Sequence, residues 1–129
     1  MIKVYVTSIL VDDQQKALKF YTEKAGFVKK NDIPMGEDSW LTVVPPSEED
    51  GVEILLEPAS IEPSRVFQKA LKERGIPWTS LEVDDLDEEY KRMTELGVEF
   101  SVAPQDAGSV RLAVFDDTCG NYIQLVQML

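Results

Sequence analysis

The chain repeats itself. Val11-Asp12-Asp13 recurs as Val83-Asp84-Asp85 at an offset of 72, Gly26 as Gly97 at 71, and Pro34 as Pro104 at 70. Gly51, Ile54 and Leu56 recur as Gly120, Ile123 and Leu125 at 69. The order is kept while the offset falls in single steps, so the chain is two copies of one unit, each about half its length. This limits the fold more than any single motif, because each segment must be readable in both copies. The unit reads strand, helix, three strands.

The first copy, 1–57, opens on a strand from Lys3 to Val11, alternating and rich in β-branched residues. Asp13 is placed to cap a helix with an inner stripe of Ala17, Leu18, Tyr21 and Ala25, and Gly26 ends it. Strands are expected at Phe27–Ile33, Trp40–Val44 and Val52–Glu57, with a turn from Pro34 to Asp38 and a polar loop from Pro45 to Asp50. Residues 58–77 read as a linker plus a short helix that turns Val66, Phe67, Ala70 and Leu71 inward. The second copy, 78–129, has an Asp85-x-x-Glu88 helix start, a stripe of Leu86, Tyr90, Met93 and Leu96, and strands at Val98–Val102 and Val110–Phe115. A turn runs from Pro104 to Gly108. The last hairpin turns through Asp116-Asp117-Thr118-Cys119-Gly120-Asn121, where Gly120 and Asn121 are expected to tolerate positive φ.

Charge narrows the partners. A net charge of −11 and a pI near 4.4 disfavour nucleic acid, whose phosphates need a cationic surface. No apolar run approaches the ~20 residues that span a bilayer, and no signal-peptide pattern is read at the start, where strand-like residues begin at Ile2. The lone Cys119 cannot form an internal disulfide, which suits a reducing cytoplasm.

Paired strand-helix-three-strand units, the VDDQQKALKFYTEKAGF opening and the CGNYIQLVQ ending together resemble the vicinal oxygen chelate superfamily, which includes glyoxalase I, extradiol dioxygenases and bleomycin resistance proteins. The resemblance covers nearly the whole chain. It implies one α+β domain over 1–129, its two βαβββ units forming an open, cup-like mixed β-barrel with helices outside, often completed in a homodimer. Metal-dependent relatives project four His, Glu or Gln side chains into the cup. Carried over, those positions fall on Val6, Leu55, Trp78 and Gln124. Three of these have no ligand atom, the chain has no histidine, and a neutral amide alone is a poor ligand for Zn²⁺, Fe²⁺ or Mn²⁺. Neither a metal nor another cofactor is expected.

Strand alternation reads the two sheet faces separately. One face gathers Thr7, Ile9, Val11, Val52, Ile54, Leu56, Leu81, Val83, Ile123 and Leu125, and should lie under the helices. The other gathers Val6, Ser8, Glu53, Leu55, Glu57, Trp78, Ser80, Glu82, Tyr122 and Gln124, a mixture that suits a small-molecule cleft. Trp78 there can stack on a ligand or plug the cup where a metal once sat. Trp40 on a middle strand is read as core or rim packing first and a ligand contact second. Gln124 is either a polar anchor or an amide satisfied by backbone. Arg111 reads as a salt-bridge partner, Cys119 as a turn residue without a base to activate it.

These readings point to a metal-free protein that binds a small, cationic or aromatic molecule in the cup, with Glu53, Glu57 and Glu82 favouring a cation. The alternative is a metal-dependent lyase or dioxygenase of glyoxalase or extradiol type. A third is a regulatory, partner-binding module on the same fold.

Overall fold

Asp13 and Asp85 begin the same event in each half. Each sits in extended backbone, and its side chain accepts a hydrogen bond from the amide three residues on, Lys16 at 2.9 Å and Glu88 at 3.1 Å. That satisfies one of the orphan amides at a helix start. The helices that follow are α1, Gln14–Glu23, and α3, Leu86–Glu95. In the computed structural model, which describes all residues 1–129, strands β1 (Val6–Val11), β2 (Val28–Met35), β3 (Asp38–Val44) and β4 (Glu53–Pro58) accompany α1. Strands β5 (Thr79–Glu82), β6 (Phe100–Ala107), β7 (Val110–Asp116) and β8 (Tyr122–Met128) accompany α3. A further helix, α2, spans Glu62–Glu73.

The chain divides into two compact units, Met1–Arg65 and Val66–Leu129. Each holds one open, mixed four-stranded sheet, in the order β1-β4-β3-β2 or β5-β8-β7-β6. The first and last strands of each unit run parallel and the other neighbours antiparallel. The registers correspond: Ser8 faces Leu55 in the first unit and Ser80 faces Gln124 in the second. The expected α+β, glyoxalase-like class is the one observed, built from two open sheets.

Each core lies between sheet and helix. In the first unit Ala17, Phe20 and Tyr21 of α1 are buried, as are Ile9, Val11, Leu41, Val43, Ile54 and Leu56 of the sheet. In the second, Leu86 and Met93 of α3 are buried with Ala113, Phe115, Ile123 and Leu125. Tyr90, Phe100 and Phe115 form an edge-on aromatic chain with centroids 4.7 and 5.9 Å apart. Full burial of one such side chain stabilises by ~1.5–3 kcal/mol.

Several boundaries differ from the sequence reading. The first strand begins at Val6, and Met1 to Tyr5 are exposed. Pro34 and Pro104 lie within β2 and β6, because these are edge strands where a missing amide hydrogen is tolerated. The turns are tighter than expected: Met35 pairs with Asp38 and Ala107 with Val110, leaving Gly36-Glu37 and Gly108-Ser109. Both glycines have positive φ, as two-residue hairpin loops require. The polar loop contains a 3₁₀ turn, Pro46–Glu48. Val52 precedes β4 and is exposed, as are Thr7 and Leu96.

Helix α2 departs furthest. Val66 and Phe67 are 59% and 55% exposed, whereas Gln68 is the buried residue at 7%. Its amide nitrogen donates to the Cys119 carbonyl at 3.3 Å and to Asn121 Oδ1 at 3.2 Å. A polar side chain therefore docks the helix, because the last hairpin turn offers it buried acceptors. That turn closes through Asp117, whose Oδ1 accepts from the amides of Cys119 and Asn121 and whose Oδ2 accepts from Asn121 Nδ2. Positive φ falls on Thr118 and Gly120, not on Asn121.

Candidate functional site

Each unit carries its own candidate residues on the sheet face opposite its helix, α1 in the first unit and α3 in the second. In the first unit, Glu53 opens β4 beside Val6, its register partner on β1. Thr42 on β3 pairs with Leu55 on β4, and Asn31 on β2 pairs with Thr42. Thr42 is fully buried and Glu53 is 6% exposed. Thr42 Oγ1 donates to Glu53 Oε1 at 2.7 Å, and Asn31 Nδ2 donates to the same oxygen at 2.9 Å. Asn31 Nδ2 also reaches Thr42 Oγ1 at 3.4 Å. Two neutral donors thus fix one carboxylate oxygen.

Leu55 is buried, Val6 and Trp40 are half-buried, and Glu57 is exposed. Trp40 lies two residues from Thr42 on the same strand face. The sequence reading missed Asn31 and Thr42. Thr42 shares its parity with Trp40, so alternation could have found it. Asn31 was hidden because a bulge between Lys29 and Asn31 shifts the phase of β2.

In the second unit Trp78 immediately precedes β5, and its amide donates to the Tyr122 carbonyl at 2.8 Å. Both side chains are half-buried. Phe67 of α2 meets the Trp78 ring edge-on at 5.8 Å. Lys72 Nζ lies 4.6 Å from the Tyr122 ring centroid and 3.1 Å from Asp116 Oδ2. The ammonium is thereby shared between a carboxylate and a π face. Gln124 Nε2 donates to Ser80 Oγ at 2.7 Å, so its amide is held by a side chain rather than by backbone. Glu82 is exposed. Phe67 and Lys72 escaped notice because the packing of α2, not strand alternation, brings them to this wall.

Val6, Leu55 and Trp78 carry no metal-binding atom, and Gln124 already engages Ser80. No group of three or more Cys, Asp or Glu side chains is arranged to hold an ion. The residues present do not fit the metal of the metal-dependent relatives. Arg111 bridges Asp87 and Asp106, each at 3.0 Å, and these hydrogen bonds raise its pKa further. Cys119 is buried within its turn.

A family model described as the glyoxalase/bleomycin resistance protein/dioxygenase superfamily matches residues 3–125. The chain belongs to that superfamily. Within it, the uncharacterized protein YurT of Bacillus subtilis (strain 168) is 51% identical over 125 residues, covering 97% of this chain and 98% of YurT. Among solved structures, UcmS2 superposes with a TM-score of 0.85 at 33% identity, covering 98% of each chain. TnmS3, an antibiotic binding protein from Streptomyces sp. CB03234, superposes with a TM-score of 0.77 at 29% identity, covering 100% of this chain and 98% of its own. No helix of the chain is long and apolar enough to cross a membrane.

Proposed function

We propose that this superfamily member is a metal-free binding protein that sequesters a small aromatic or cationic molecule, rather than a lyase or dioxygenase. The observation that carries the reading is the content of the four carried-over ligand positions: three side chains without donor atoms and a glutamine already bonded to Ser80. Glyoxalase and dioxygenase chemistry needs a metal as Lewis acid or oxygen activator, and these residues offer it no purchase. What the second unit does offer is half-buried Trp78 and Tyr122, aromatic surface of the kind that stacks on planar ligands. The similarity to TnmS3, an antibiotic binding protein, supports the reading.

The protein functions in the cytoplasm as a homodimer in this reading. Ile33, Met35, Val66 and Phe67 leave apolar surface that a second copy can cover. Light scattering at micromolar concentration checks this, and a monomeric mass sinks it. Native mass spectrometry of protein purified from its source tests the function itself. A stoichiometric organic adduct without a divalent ion is expected. A tightly held stoichiometric metal, with turnover of a hemithioacetal or a catechol, would establish the enzyme instead.

A further inference from the structure

We infer that Glu53 is the ligand's charge anchor: its Oε2 receives a protonated amine, and Asn31 and Thr42 position the carboxylate for it. The inference rests on the binding reading above and names the chemical class that the site takes.

Three observations converge. The first is the state of the carboxylate. Oε1 accepts both available hydrogen bonds, from Thr42 and Asn31, and Oε2 accepts none. Nor is Oε2 sealed away, since Arg111 Nε is the one sealed side-chain nitrogen or oxygen without a partner. Glu53 therefore keeps an open oxygen although the residue as a whole is 6% exposed.

The second is the missing counter-ion. The ion pairs of the first unit join Lys16 to Asp12, Lys29 to Asp32 and Lys30 to Asp50, and none reaches Glu53. Buried carboxylates are normally paired with a cation, because taking the charge from water is costly. Two neutral donors orient this one without neutralising it.

The third is the repeat. At the corresponding register positions the second unit carries Val102, Val114 and Tyr122 where the first carries Asn31, Thr42 and Glu53. The same fold thus closes with an apolar row, and nothing in its architecture demands a polar one. The Asn31–Thr42–Glu53 row is a local addition, and its chemistry is that of an acceptor for a positively charged donor. Glu57 and Glu82, which share the sequence pattern, are exposed and lack such a cradle.

Three naphthyl probes of different charge test this by calorimetry and ligand-observed NMR: 2-naphthylmethylammonium, neutral 2-naphthylmethanol and anionic 2-naphthoate. The ammonium probe should bind at least tenfold more tightly than the alcohol, and the carboxylate not measurably. Glu53→Gln preserves size and the acceptor for Thr42 and Asn31. It should remove the ammonium preference, so that the ammonium and the alcohol bind alike. Thr42→Val should weaken the ammonium probe selectively, whereas a purely structural role would weaken both. Equal binding of all three probes to the wild type would overturn the anchor while leaving the binding function in place. An ammonium preference that survives Glu53→Gln would overturn it likewise. Failure of every probe to bind would count against both. Circular dichroism of each variant separates loss of the anchor from loss of the fold: if Glu53→Gln unfolds, the selective effect of a folded Thr42→Val decides.

Discussion

Thr118 holds φ at 62°, the only non-glycine with positive φ in the chain. A β-branched side chain is poorly suited to the left-handed region, where asparagine is tolerated. Thr118 is exposed, and the bond it makes to Asp116 Oδ1 comes from its amide, which any residue supplies. Thr118→Asn should therefore stabilise by about 0.5–1 kcal/mol, read as a higher urea midpoint at unchanged slope; a lower midpoint contradicts the strain argument. Gly120 is the reverse case. Its φ is 104°, and an added Cβ would lie 2.8 Å from Gln68 Cδ and Nε2. Gly120→Ala should lose about 2–3 kcal/mol, from backbone strain and from displacing a buried amide. In a Gln68→Ala background the additional loss should be smaller, because the clash is gone. Equal losses in the two backgrounds would show that Gln68 does not confine Gly120.

At the level of elements, the two helices α1 and α3 start on equivalent aspartates with equivalent bonds. Removing an N-cap costs about 1 kcal/mol. Asp13→Ala and Asp85→Ala should each lose about that much, and the double variant about twice as much, since the two caps share no partner. Denaturant titration reads all three, and a double loss well below the sum would reveal coupling between the caps. The strands were legible because alternation with buried Ile54, Leu56, Ile123 and Leu125 marks the helix-facing side in both copies. Helix α2 was not. Its apolar residues Val66 and Phe67 suggested an inner stripe, yet Gln68 is the residue that is buried. The decisive acceptors, Cys119 O and Asn121 Oδ1, lie more than fifty residues further along the chain.

For the whole molecule the main expectation concerns metals. An ion held at 100 times its dissociation constant would add ~2.7 kcal/mol to stability. The four carried-over positions offer no such site, so the melting temperature should be the same with EDTA, with Zn²⁺ and with Mn²⁺, apart from weak effects on an acidic surface. A fall of several degrees on chelation, recovered by one particular metal, would mean that the ligand set lies elsewhere. Net charge of −11 agrees with an anchor that receives a cation, because long-range attraction then assists the encounter.

The sequence by itself determined the architecture. A repeat fixes which segments must share a form, aspartates fix helix starts, and glycines with positive φ fix tight turns; all are local or periodic properties that residues carry with them. It also fixed the chemistry lacking at Val6, Leu55 and Trp78, since side-chain identity suffices for that. Only the tertiary structure decided which polar groups meet. Asn31, Thr42 and Glu53 come together diagonally across three strands, with a bulge breaking the parity that would have aligned them. Phe67 and Lys72 reach Trp78 and Tyr122 through the placement of a helix that no period in the sequence encodes. Hydrogen-bond geometry is set by distances of about 3 Å between atoms far apart in the chain, and such distances exist only once the sheets have formed.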